Sequence, residues 1–193
     1  MINFIKEYIR DKVLRAKKSN ISPKFINLEE MRSIGFMYNI TSPSSFEELN
    51  KISAFLDKVG ILYYGLAIET KGGLLPQMES AKDIPEFVKE LEDKEILLVE
   101  RLHLNWIGIP NAEKIDKFLE RDFDLFITFN NNNDFTLEYI LRDIKAKFII
   151  GMQNNPNSPY TLVMEGENKT TLNYIEYLQQ IFHYMNIIKA SKA

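Results

Sequence analysis

Apolar residues recur along this chain with two different periods, and the changes of period mark out the elements. Between Ile2 and Lys17, the residues Ile2, Ile5, Tyr8 or Ile9, Val13 and Ala16 lie three or four apart, the spacing of one helical face. Asn20, Ser22 and Pro23 end that helix, because the residue before a proline is pushed away from helical dihedrals. From Arg32 the pattern becomes that of a short apolar run, Ser33 to Tyr38, closed by Asn39. Thr41-Ser42-Pro43 then starts a helix with Ser42 as its cap, and Phe46, Leu49, Ile52, Phe55, Leu56 and Val59 carry it to Gly60. Ile61 to Ile68 is a second apolar run. Strand, helix and strand at this spacing make a βαβ unit, whose crossover joins parallel strands.

The alternation continues to the end of the chain. Thr70 to Asp83 reads as a loop, Ile84 to Leu91 as a short helix and Glu95 to Arg101 as a third strand. Asn111 caps a helix through Ile115, Phe118 and Leu119, and Phe123 to Phe129 is a fourth strand. A helix through Leu137, Ile140, Leu141 and Ile144 leads to a strand at Lys147 to Met152. Tyr160 to Met164 adds a sixth strand, and Thr170 caps a last helix through Ile175, Leu178, Phe182, Met185 and Ile188. The pattern predicts an α/β protein: a Rossmann-like three-layer sandwich with a mostly parallel sheet of five or six strands, preceded by an amphipathic basic N-terminal helix. Residues 1–24 are the helical arm and residues 25–193 a single α/β domain. Phe36, Leu66, Leu98, Phe126, Ile127 and Ile149 are expected in the core of the sheet.

Composition narrows the chemistry. Of 193 residues, 45% are hydrophobic and 26% charged, which excludes disordered and fibrous classes. Cysteine is absent, so disulfides, thiol nucleophiles, thiolate zinc and iron–sulfur sites drop out. His103 and His183 are far apart, and no metal site is expected from them. The phosphate-binding patterns GxGxxG and GxxxxGK[ST] and the GxSxG elbow do not occur, and no cofactor is expected. No run approaches the roughly 18 apolar residues of a membrane span, and Met1 to Lys18 has no signal-peptide core, so a cytoplasmic location is expected.

Charge is unevenly placed. The net value is −3, yet residues 1–24 carry seven basic side chains against two acidic ones. Such an arm either lies against its own acidic body or makes a weak contact with an anionic membrane or nucleic acid. Its apolar stripe also suits a homodimer, because a short helix needs its stripe covered.

In an open parallel sheet, ligands bind outside the carboxyl ends of the strands. That rule selects Asn39, Thr41 and Ser42 after the first strand, His103, Asn105 and Trp106 after the third, and Asn130, Asn131 and Asn132 after the fourth. These amides and hydroxyls suit a sugar or nucleotide better than acid–base chemistry, and the same residue types also make turns and caps without any ligand. Glu100 and His103 are the only carboxylate–imidazole neighbours near a strand end; a general base of that kind is possible, with a surface histidine as the simpler reading. Asp122 and Asp124 open a strand on the opposite edge and read as solvated turn residues. The residues point to a non-catalytic binding or interaction protein, the alternative being an enzyme or binder that takes a sugar or nucleotide at the carboxyl edge.

Ser33-Ile34-Gly35, Asn105-Trp106-Ile107-Gly108-Ile109-Pro110, Phe123 to Ile127 and Ala146 to Gly151 together resemble a family of small Bacteroidetes proteins that carry a domain of unknown function. The resemblance spans nearly the whole chain; it implies a bacterial source and no defined activity. Thr128 departs from the family pattern, in which an aspartate is usual at that point. A fainter similarity to the N-terminal half of heptosyltransferase-like sugar transferases implies the same fold, although this chain has no room for the second Rossmann domain those enzymes need.

Overall fold

The computed structural model describes residues 2–19, 23–73, 84–129, 134–152, 158–164 and 173–190. Strand β1 (Ser33–Ile40) lies at the centre of a six-stranded sheet with β2 (Leu62–Glu69), β3 (Ile96–Val99), β4 (Asp122–Phe129), β5 (Lys145–Gly151) and β6 (Leu162–Val163). The order is β3-β2-β1-β4-β5-β6 and every pairing is parallel. Both faces of such a sheet must be covered, which is why β1 and β4 read as unbroken apolar runs. Phe36, Leu66, Leu98, Phe126, Ile127 and Ile149 are all buried, as their runs predict.

Alternate residues of each strand feed two cores. On one face, α2 (Ser45–Val59), α3 (Ile84–Asp93) and α6 (Tyr174–Ala190) pack Leu49, Ile52, Leu91, Leu178 and Ile181 against Ile34, Phe36, Tyr38 and Ile127. On the other, α4 (Ala112–Leu119) and α5 (Phe135–Leu141) pack Ile115, Phe118, Leu137 and Ile140 against Met37, Leu66, Phe126 and Ile149. Two helical layers around a sheet follow directly. Gly35 is needed for this second core: a Cβ there would lie 2.4 Å from Cδ2 of Phe126, so only a glycine lets the ring lie flat on β1.

Helix boundaries depart locally from the pattern. Helix α2 begins at Ser45 with Ser44 at the N-cap, and Ser42 and Pro43 form the turn before it. Ser45 Oγ accepts the N–H groups of Thr41 and Ser42, so the turn is closed from inside the helix and Ser42 does not act as the cap. Gly60 ends α2 in the left-handed region, at φ 73°. Asn111 caps α4 through the N–H of Glu113, as expected. The expected cap Thr170 lies outside the described residues; α6 starts at Tyr174, with Asn173 accepting the N–H of Ile175.

Asp124 is a correction. It is buried, with its carboxylate accepting the N–H groups of Arg32 and Ser33 and the ammonium of Lys147 at 2.7 Å. Burial alone would raise this carboxyl, but the Lys147 charge and the two N–H donors outweigh it and hold it below the usual range. It fastens the entry of β1 to β4 and β5 at the amino edge of the sheet.

The N-terminal helix α1 (Ile2–Ala16) lies against α5. Arg10 Nε donates to the carbonyl of Ile107 at 2.7 Å, and its guanidinium lies 4.9 Å from the Phe135 ring centre. Lys17 pairs with Asp143 and lies 3.3 Å from the ring centre of Tyr139. The helix is therefore held through Ile9, Arg10, Val13, Leu14 and Lys17, which are partly covered, while Ile5 and Tyr8 of the expected apolar stripe face outward. Cation–π and charge contacts have overridden the simple apolar face.

Candidate functional site

Strands β1 and β4 are neighbours whose following helices go to opposite faces, so the crevice between their carboxyl ends is the topological switch point of the sheet. Asn39 stands there, in register with Ile68, and its Oδ1 is buried with no hydrogen-bond partner among the described residues. Thr41 and Ser42 follow immediately, their N–H groups given to Ser45 and the Ser42 hydroxyl 2.8 Å from that of Ser44. On the α2 side, Tyr38 donates its hydroxyl to Glu48 at 2.6 Å, and burial pushes the phenol pKa well up. Glu69, at the end of β2 in register with Ile40, is a buried acidic residue one position beyond the apolar run Ile61 to Ile68, and no sequence pattern marks it.

His103, Asn105 and Trp106 sit on the connection after β3, two strands from β1. His103 Nδ1 accepts the N–H of Glu100 at 3.1 Å, and desolvation together with the Lys114 charge lowers its pKa. Asn105 Oδ1 accepts three N–H groups, from Ile107, Gly108 and Ile109, at 3.1, 3.0 and 2.9 Å. The side chain is thus the hub of its own turn, and Trp106 beside it is 56% exposed. This turn reaches across the face to the start of α5, where the Thr136 hydroxyl donates to the Gly108 carbonyl at 2.8 Å. Asn130, Asn131 and Asn132 lie outside the described residues. Asn39 at the end of β1 and Thr41 and Ser42 just beyond it lie together, whereas His103 Nδ1 and Asn105 Oδ1 are engaged within their own turn.

A second polar assembly was not signalled by any motif. Glu138 and Arg142 of α5 form an ion pair at 3.3 Å with side chains only 5% and 6% exposed. The Ser158 hydroxyl reaches both Glu138 oxygens at 2.6 Å, and Arg142 also donates to the Glu138 carbonyl at 2.7 Å. Tyr160 lies alongside, its hydroxyl 3.4 Å from that of buried Thr128 and its pKa pushed up to about 12, mainly by burial. Thr128, where an aspartate was expected from the resemblance, thus serves as an uncharged partner to a tyrosine. An i,i+4 Glu–Arg pair ordinarily reads as a solvated helix face, which is why the sequence hid it.

Glu138, Arg142 and Ser158 of this assembly form one wall of a cleft of about 610 Å³ between α1 and α5. The opposite wall carries Asp11, Leu14, Arg15, Lys17, Lys18 and Ser19, and Pro159 closes it beside Ser158. Arg15 pairs with Asp11, Ser19 Oγ is buried with no hydrogen-bond partner, and Lys18 makes no ion pair among the described residues. Four cations against two carboxylates give the lining a positive balance. A smaller cavity of about 240 Å³ opens at the amino edge, where Arg121 stacks 3.7 Å from the Tyr64 ring centre. Of the residues selected from the sequence, none that the structure describes lines either cavity. Among the described residues there is no group of three or more side chains arranged to hold a metal ion.

A six-stranded parallel sheet in this order, flanked by helices on both faces, is a Rossmann-like α/β fold. The chain belongs to a family of unknown function, DUF6913, whose model matches residues 3–188. No curated protein matches it. Among solved structures, it is similar to the C-terminal domain of a glycosyl transferase group 1 family protein from Francisella tularensis, at 15% identity and a TM-score of 0.37, with 92% of this chain and 85% of that chain covered.

Proposed function

We propose that the protein is a non-catalytic binding protein whose ligand is a small anionic, hydroxyl-bearing molecule, a phosphorylated sugar or a nucleotide, held in the α1–α5 cleft. The observation that carries this is the pairing of a buried polar wall (Glu138, Arg142, Ser158) with a cationic rim (Arg15, Lys17, Lys18) around one opening. Its volume is of the size that holds small ligands. Lys18 and the Ser19 hydroxyl supply a charge and a hydrogen-bonding group that no partner among the described residues uses. The same wall argues against chemistry. Glu138, the carboxylate of the buried wall, is engaged by Ser158 and Arg142.

A thermal-shift screen of phosphosugars and nucleotides tests it. A ligand at a hundred times its dissociation constant adds about 2.7 kcal/mol, or about 5–11 °C for a chain of this size. The Arg15→Glu, Lys18→Glu double variant abolishes the shift, and the ligand is recovered chemically unchanged. No shift from any compound, or one that survives the double variant, refutes the site; turnover of the ligand refutes the non-catalytic reading. A second reading places a sugar or nucleotide at the β1/β4 crevice, favoured by the unpartnered amide oxygen of Asn39. There, Asn39→Leu removes the shift and the charge variant leaves it intact.

A further inference from the structure

At the amino edge of the sheet, the cavity of about 240 Å³ has an apolar floor of Tyr64, Ile96, Leu97 and Phe118. Ile96 and Phe118 belong to the two cores, so the floor is fixed. Four charged side chains surround it, Glu92 and Glu95 from the end of α3 and the entry of β3, Lys117 and Arg121 from the end of α4 and the entry of β4. They do not neutralise one another closely. Arg121 and Glu95 approach only to 3.7 Å, beyond hydrogen-bonding distance, and Glu92 and Lys117 form no ion pair among the described residues. The Arg121 guanidinium lies 3.7 Å from the Tyr64 ring centre, a contact made through its face, so that its N–H edge stays available.

Glu95 carries the argument further. It stands at φ 56°, the one non-glycine residue at positive φ among those described, in the left-handed conformation that Gly60 adopts at the end of α2. Its N–H donates to the carbonyl of Glu92 and its carbonyl accepts the N–H of Gly65, both at 2.9 Å, so the backbone is held there from both sides. Glycine takes that conformation freely, whereas a glutamate takes it under strain. The exposed contact with Arg121 offsets little of that. What the position gains over glycine is a carboxylate at the cavity rim.

We propose that this cavity binds a free α-amino acid with an apolar side chain, at a site independent of the α1–α5 cleft. The ligand's carboxylate meets Arg121 and Lys117, its ammonium meets Glu95 and Glu92, and its side chain covers Tyr64, Leu97 and Phe118. Charge selects the zwitterion. A nucleotide or phosphosugar sets anionic charge against the two carboxylates of the rim, and a simple amine sets positive charge against its two cations; a molecule carrying both charges gives every rim group an opposite partner. Size agrees, because sites for drug-sized molecules occupy about 300–1,000 Å³ and about 240 Å³ suits a smaller ligand, a single amino acid. An arginine stacked on a tyrosine is also placed to receive a carboxylate through two parallel N–H donors.

The test is isothermal titration calorimetry of the full chain with leucine, and with two molecules that keep its apolar side chain and lose one charge each, isocaproate and isoamylamine. Leucine is expected to bind, and each of the other two to bind at least about tenfold more weakly, having lost one set of charged contacts. Glu95→Gly separates binding from folding. It should abolish leucine binding while holding or raising the melting temperature, because glycine suits φ 56°. Arg121→Gln should weaken leucine by about tenfold or more. No leucine binding at millimolar concentration, binding of isocaproate or isoamylamine as tight as that of leucine, or binding that survives Glu95→Gly overturns the proposal. The Arg15→Glu, Lys18→Glu double variant should leave leucine binding unchanged, so the two sites stand or fall separately; loss of leucine there would move it to the α1–α5 cleft and overturn the site at the amino edge.

Discussion

A double-mutant cycle on Glu138 and Arg142 gives a strict test of the buried assembly in α5. At 3.3 Å, two unit charges attract by about 5 kcal/mol at an effective dielectric of about 20. Desolvation of each ion costs several kcal/mol and offsets most of that, so the pair is worth little net against an apolar replacement. Removing one partner is different. Glu138→Leu leaves a buried guanidinium that keeps its bond to the backbone carbonyl of residue 138 but has lost its paired carboxylate, and a cost of about 3 kcal/mol follows, the low end for breaking a buried pair. Arg142→Met strands a carboxylate that Ser158 still serves, which sets its cost at about 2 kcal/mol. The double variant should then be about 2 kcal/mol more stable than the sum of the singles predicts. Urea melts should be followed by far-UV circular dichroism, because Trp106, half exposed on a turn, reports poorly on global unfolding. At about 2–4 °C per kcal/mol, Glu138→Leu also lowers the melting temperature by about 6–12 °C. A coupling below about 0.5 kcal/mol would show that the two groups do not act as a buried pair, and the polar wall of the cleft would lose its physical basis.

Gly35→Ala should destabilise by about 2 kcal/mol through overpacking against Phe126, with part of the loss recovered by adding Phe126→Leu; an unchanged urea midpoint contradicts the close approach of ring to strand. Asp124 titrates below its unfolded value of about 3.9, so its stabilisation is complete above that pH and is lost as pH falls through the depressed folded pKa. Asp124→Asn should therefore cost about 2 kcal/mol at neutral pH, a penalty that shrinks on acidification below about pH 4. A penalty independent of pH would refute the role of its charge.

Much of the fold was legible because burial on both faces writes itself as unbroken apolar runs. Ser33–Ile40 and Asp122–Phe129 could hardly be anything but central strands, and Gly60 and Asn111 punctuate their helices in the expected way. Local chemistry was harder. β6 is two residues long, too short to show a period, and Ser42 and Ser44 are equally good caps until the chain direction is known. Asp124 looked solvated because its partners, Arg32, Ser33 and Lys147, lie on other strands or entries. The candidate cleft was least visible of all. Its walls come from residues 11–19, from α5 and from the approach to β6, a convergence created by α1 folding back over the body, and no short-range pattern encodes that.

The position of β1 has a consequence for how the chain comes to be made. One neighbour in the sheet, β2, follows after one helix, but the other, β4, is separated from it by about 90 residues, among them two further helices and a strand. At roughly 5–20 residues per second, a ribosome leaves one edge of this central, mostly apolar strand without its partner for about 5–18 seconds. During that interval β1, β2 and β3 can already be paired, with Ile34, Phe36 and Tyr38 presenting open backbone groups on the side where β4 will arrive. The centre of the finished molecule is thus an unprotected rim while the chain is being synthesised, the stage at which a chaperone would have something to hold.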